Sequence, residues 1–236
     1  MHTPQVRFPL AVMVIVGLLS AACSLPDLPT VPNTTPPPSG DAATALAALP
    51  VKGRAPKTGY ERDAFGQRWA DVDRDGCDQR NDVLARDLVD ETFRQGTRNC
   101  VVESGTLNDP YTGQRIAFKR GPETSEDVQI DHVVALSNSW QTGAAQLDEH
   151  TRELLANDPL NLQATDGPTN QSKGDGDAAT WLPPNRSYRC DYVARQVAVK
   201  AKYRLWVTPP ERDAIQRVLG DCPGEPLPHD SGFASS

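Results

Sequence analysis

Four cysteines constrain this chain more than any other feature, because Cys77, Cys100, Cys190 and Cys222 follow a leader that reads as an export signal. Arg7 is the only charged side chain ahead of an apolar run over residues 10–19. That run is too short to span a bilayer and ends in the small residues Ser20, Ala21 and Ala22. The layout predicts a secretory signal peptide over residues 1–22. An exported chain folds in an oxidising compartment, so two disulfides are expected. Four cysteines allow three pairings. Cys77–Cys100 and Cys190–Cys222 are favoured because each closes a short local loop. The rival reading, a zinc site, lacks a CxxC pair or close Cys/His spacing.

The fifth cysteine, Cys23, completes Leu19-Ser20-Ala21-Ala22-Cys23, which resembles the bacterial lipobox. The resemblance implies a lipidated Cys23 and a membrane-anchored, outward-facing protein. Residues 24–57 are rich in Pro, Thr, Ala and Gly and read as an extended tether, giving a tethered segment over residues 23–57. An ordered domain is expected over residues 58–225, with a disordered tail over 226–236. No later segment is apolar enough to cross a membrane.

The formal net charge of −7 argues against a protein that coats nucleic acid by bulk electrostatics. It leaves room for an enzyme whose basic groups are confined to one cleft. Periodicity predicts a helix over 81–93, strands at 100–102, 116–118, 128–136 and 162–165, and helices over 148–156, 188–203 and from Pro209 to about 219. The turn-rich link Asn108-Asp109-Pro110-Tyr111-Thr112-Gly113 joins two of the strands. The expected class is α+β, a small antiparallel sheet with surrounding helices.

The chemistry-bearing segment is Ile130-Asp131-His132-Val133-Val134. Taken alone, a histidine at a strand end is more often packed than catalytic. Here Pro159-Leu160-Asn161-Leu162 places Asn161 29 positions later (161 minus 132), and Asn170-Gln171-Ser172-Lys173-Gly174 follows an Asp-Gly-Pro break. The order Asp-His, Asn-Leu, Asn-x-x-Lys-Gly resembles the HNH, or ββα-metal, endonucleases. Asp73-Arg74-Asp75-Gly76-Cys77-Asp78, Asn157-Asp158-Pro159-Leu160-Asn161-Leu162 and Tyr188-Arg189-Cys190-Asp191-Tyr192-Val193 narrow it further. They resemble an exported branch related to the C-terminal nuclease part of the GmrSD restriction system. The family's last position is often His; Asn170, a neutral and weaker ligand, stands there instead.

Hydrolysis of a phosphodiester needs an activated water and neutralisation of charge on the phosphate and leaving oxygen. His132, neutral near pH 7, is the candidate base. Asp131 and Asn170 offer hard oxygen ligands suited to Mg²⁺ or Mn²⁺. Asn161 is expected to orient the His132 ring, by accepting its bond or presenting a backbone carbonyl. Lys173, one helical turn after Asn170, is expected to reach the phosphate, the bland alternative being a solvated lysine. Arg80, at a helix start, is a further phosphate candidate.

Asp71-Val72-Asp73-Arg74-Asp75-Gly76 mimics half a calcium loop, with Asp82 at the twelfth position where an EF-hand wants Glu. A structural Ca²⁺ on Asp71, Asp73 and Asp75 is the corresponding expectation. The functional expectation is a monomeric, exported, metal-dependent endonuclease acting on DNA or RNA with little sequence specificity. The alternative is a non-catalytic surface lipoprotein with a degenerate nuclease fold that binds calcium or a wall component.

Overall fold

The computed structural model describes residues 41–229. The signal segment, Cys23, residues 24–40 of the expected tether and residues 230–236 of the expected tail lie outside the described residues. In chain order the helices and strands are α1 (Ala42–Ala48), α2 (Gln79–Asp87), β1 (Leu88–Phe93), β2 (Val102–Asn108), β3 (Arg115–Lys119), β4 (Val128–His132), α3 (Leu136–Gln141), α4 (Glu149–Asn157), β5 (Leu162–Asp166), α5 (Gly167–Lys173), α6 (Arg189–Lys202) and α7 (Pro209–Gly220). The strands form two antiparallel sheets, β1-β2-β3 and β4-β5. The class is α+β.

Two apolar cores divide the work. Val83, Leu84 and Leu88 pack with Val102, Leu107, Phe118, Val128, Ile130, Leu162 and Ala164, joining both sheets through α2. A larger core gathers Leu155, Tyr192, Val193, Val197, Leu205 and Ile215 from the helices, with Val133 and Val134 inserted from the end of β4. The chain between β4 and α3 therefore bridges both cores, and residues just before it are held from two sides. Cys77 is bonded to Cys100 and Cys190 to Cys222, with Cα separations of 5.1 and 6.3 Å. The first bond ties the approach to α2 to that of β2; the second ties the start of α6 to the end of α7.

The expected tether is shorter than its composition suggests. Ala42, Ala45, Leu46 and Leu49 fall on one helical face and are buried against α6 and α7. Asp41 caps α1 through Ala43 N at 2.8 Å, and Ala42 N donates to Glu225 O at 2.9 Å. Further on, Val207 N donates to Pro50 O at 3.0 Å and Ala55 N to Gln141 O at 2.9 Å. Residues 41–57 are thus part of the folded unit, because a short Ala/Leu repeat inside a Pro-rich average carries its own amphipathic face. The expected tail also starts late: Pro226 bridges Asp41, and Leu227 is buried.

The helix expected over 81–93 stops at Asp87 and continues as β1. The Asp87 carboxylate accepts from Ala164 N at 2.8 Å and Gln163 Nε2 at 2.9 Å, pinning that turn to β5. Val89, the residue that extended the helical pattern, is exposed, and Asp90 adopts φ +53° within the register shift between Val89 and Thr92. The strand expected to reach residue 136 ends at His132. Asn161 captures the next two amides, Val133 N on its carbonyl and Val134 N on Oδ1, both at 2.8 Å.

Candidate active site

β4 carries Asp131 and His132 at its end, paired with Gln163 and Leu162 of β5. β5 runs into α5, whose N-cap Asp166 accepts from Thr169 N at 2.8 Å. Gly167 allows the strand-to-helix junction to lie against the neighbouring loop. A Cβ there would stand 2.1 Å from the Glu126 carbonyl oxygen, which no side chain tolerates. Two strands and a short helix thus carry Asp131-His132, the Asn-Leu step and Asn170 in that order along the chain.

The His132 ring is buried, and its Nε2 lies 2.8 Å from Ala156 O. A carbonyl oxygen only accepts, so Nε2 carries the proton and the Nδ1 lone pair is left free to act as a base. Burial is the main cause that lowers the ring's pKa to about 3. The Arg62, Lys173 and Arg68 charges push the same way, and the Ala156 bond opposes them. Trp69 lies nearly parallel to the ring, centroids 6.3 Å apart, at φ +59°, a backbone conformation that side chains this large rarely adopt. Gln67 O and Ala70 N, on either side of Trp69, are bonded to the Asn157 side chain at 3.1 and 3.0 Å, which holds the loop over the histidine.

Among the described residues Asn161 makes no hydrogen bond to the His132 ring, contrary to the sequence expectation; the ring's partner is Ala156 O. Besides capturing Val133 and Val134, Asn161 donates from Nδ2 to Leu155 O at 3.2 Å. It fastens the segment leading to Ala156 onto the end of β4, so it sets the ring's acceptor at one remove. Arg86 and Arg195 both donate to Pro159 O and Leu162 O, which fixes the bend that carries Asn161.

Lys173 likewise differs from expectation, pointing inward rather than into the cleft. It is 3 % exposed, and its Nζ donates to Asp131 Oδ1 at 2.9 Å and to His132 O at 2.7 Å. The helical phase of α5 turns it inward to neutralise a buried carboxylate. Tyr111, fully buried, donates from its hydroxyl to the other Asp131 oxygen at 2.6 Å. Each carboxylate oxygen keeps a further lone pair. Asn170 donates from Nδ2 to Gln129 Oε1 at 2.9 Å and retains Oδ1. Asp131 and Asn170 line the same cleft, and as sparse hard-oxygen donors they fit a divalent ion that keeps most of its waters.

That cleft has a volume of about 830 Å³ and brings together Arg62, Arg68, Arg80, Asp131, His132 and Asn170. Arg80 reaches the carbonyls of Ser125 and Val128 at 3.5 Å. Arg62 and Arg68 carry no sequence pattern that announces them, because they reach the cleft from a loop more than sixty residues upstream of His132. Tyr111 had a usable signal: an aromatic in a turn-rich link, once buried, needs a partner for its hydroxyl.

Asp71, Asp73 and Asp75 place one carboxylate oxygen each within 4.8 Å of one another, and a carboxylate oxygen of Asp75, one of Asp82 and the Cys77 sulfur lie equally close. The Cys77 sulfur is spent in its disulfide. Among the described residues the loop is followed by α2 but is preceded by only a 3-10 turn, Arg62–Phe65, unlike an EF-hand. Asp82 is 7 % exposed and accepts from Gln79 Nε2 at 3.3 Å. Burial, followed by repulsion from Asp75, Asp73, Asp78 and Asp71, pushes its carboxyl up to about 7.

Residues 78–218 match the family model described as "GmrSD restriction endonucleases, C-terminal domain". An "Uncharacterized secreted protein" of Arthroderma benhamiae is 35% identical over 215 residues, covering 90% of this chain and 98% of its own length. No solved structure matches.

Proposed function

The chain belongs to the family of the C-terminal domain of GmrSD restriction endonucleases, and on that premise we propose that it is an exported, metal-dependent endonuclease. The observation that carries this reading is His132, a neutral imidazole with Nε2 fixed on Ala156 O and a free Nδ1, at the wall of a cleft lined with arginines. His132 Nδ1 takes the proton of the attacking water. Ala156 O stabilises the imidazolium that forms, and Asn161 keeps that carbonyl in place. Asp131 and Asn170 would hold Mg²⁺ or Mn²⁺, which supplies charge stabilisation to the phosphate and the leaving oxygen. Arg80 meets phosphate charge. Lys173 and Tyr111 hold Asp131 in one orientation, so the ligand is set before substrate arrives.

The substrate in this reading is DNA, with RNA as the alternative polymer, cut with little sequence preference by a monomer. Export is supported by the leader and by the secreted relative, and Cys23 would anchor the protein to the outer face of the membrane. A second cation, Ca²⁺, would sit on Asp71, Asp73 and Asp75, where it would offset the repulsion that these carboxylates exert on Asp82. The test is incubation of the purified protein with supercoiled plasmid and with single-stranded RNA, with Mg²⁺ and with EDTA. Cleavage abolished by EDTA supports the proposal; intact polymer under every metal condition defeats it.

A further inference from the structure

The charges around the cleft are matched unevenly. Each acid in its wall already has donors: Asp131 has Lys173 and Tyr111, Asp175 has Ser137 Oγ at 3.0 Å and Lys57 Nζ at 3.3 Å, and Glu126 has Gln129 Nε2 at 2.9 Å. Arg62, Arg68 and Arg80, by contrast, form no ion pair with a carboxylate among the described residues. Elsewhere Arg54, Arg86, Arg94 and Arg212 pair with Asp177, Asp87, Glu103 and Asp213, while Arg120, Arg152 and Arg195 are spent on carbonyl and amide oxygens. In a chain with 31 acidic and 24 basic residues, three guanidiniums without a carboxylate partner gather in this one cleft.

Arg68 repels both of the others. Burial lowers the Arg80 pKa, helped by the Arg120 and Arg68 charges and opposed by Glu126 and Asp78; burial and Arg68 lower that of Arg62, opposed by Tyr60 and Asp63. An entering anion would relieve both the burial and the repulsion. The Arg68 guanidinium lies 5.4 Å from the centroid of the Trp69 ring, and Trp69 lies over His132, so the cationic rim runs directly up to the base.

We propose that Arg62, Arg68 and Arg80 form a track that grips the phosphates flanking the one His132 attacks. The proposal rests on the nuclease reading and narrows it: the substrate is a polynucleotide recognised through its backbone, with no contribution from base edges. A net-acidic protein then binds a polyanion through one focused patch.

The test uses His132→Ala as a non-cleaving parent, with binding of a fluorescein-labelled single-stranded 12-mer followed by anisotropy between 50 and 300 mM salt in Mg²⁺. Replacing the three arginines by Gln is expected to lower the slope of log K against log salt by about 2, at roughly 0.7 per lost phosphate contact on a single strand. Affinity at low salt is expected to fall at least tenfold. Arg212→Gln, a paired arginine on α7, is expected to change neither. If the wild type cleaves but the triple variant keeps its parent's slope and affinity, the track is overturned while the nuclease stands. If the wild type neither cleaves nor binds, the nuclease reading falls as well. Thermal unfolding of the triple variant at the parent's temperature separates lost contacts from lost fold.

Discussion

Asp131 and Asp82 are both buried carboxylates, yet the fold treats them in opposite ways. Asp131 has a lysine ammonium on one oxygen and a tyrosine hydroxyl on the other. Asp82 has one weak amide donor and four other aspartates around it, and its carboxyl is pushed up to about 7. In the cleft the charge is balanced from within, which locks the geometry next to His132 before anything binds. In the acidic loop the balance is left open, as expected of a place that an external cation completes. Preorganisation belongs to the first region and responsiveness to the second.

The largest effect should come from breaking the internal balance. Lys173→Met leaves Asp131 buried without its cation and is expected to cost about 3–5 kcal/mol of stability, read from urea unfolding. Stability within 1 kcal/mol of wild type would show that Asp131 is not held by that pair.

Asp82→Asn should act in the other direction. Its folded-state pKa, about 7, lies above the ordinary carboxylate value near 3.8. Its contribution to stability is therefore fully present below about pH 3.8 and is lost as pH rises through about 7. In EGTA at pH 8 the Asn variant is expected to be more stable than wild type by on the order of 2 kcal/mol, with the difference vanishing near pH 4. A destabilised variant at pH 8 would mean the carboxylate has a partner after all.

The smallest effect concerns calcium. At ten times its dissociation constant, one bound Ca²⁺ should stabilise the wild type by about 1.4 kcal/mol, seen as a rise in Tm at pH 7.5. Asp71→Asn with Asp75→Asn should abolish the rise, and Ca²⁺ should not rescue Lys173→Met. An equal rise in all three proteins would erase the contrast between the two regions.

The parts of the site that lay in consecutive residues were legible before the fold was known. Asp131-His132, the Asn-Leu step at 161–162 and the Asn170 helix are local patterns, and each local element formed where its residues favour it. Which atom meets which was not legible. Lys173 and Asn170 sit on the same short helix, and only its rotation against β4 sends one inward and the other to the cleft wall. Ala156 offers nothing but a backbone carbonyl, so no side-chain pattern marks it as the His132 partner. Arg62 and Arg68 join the site through tertiary packing alone, and Tyr111 is marked only by its place in a turn-rich link. Composition also misled at α1, where Pro and Thr nearby masked the face made by Ala42, Ala45, Leu46 and Leu49.

In the proposed reaction His132, held neutral by burial with Nδ1 as its acceptor nitrogen, is the base of a phosphodiesterase. The most direct measurement is the single-turnover rate of supercoiled plasmid nicking at saturating Mg²⁺, for wild type and for His132→Ala of unchanged Tm. A general base contributes at least about 10²-fold, so the variant is expected to be slower by that factor or more, at every Mg²⁺ concentration. Nicking by His132→Ala at the wild-type rate would contradict the claim.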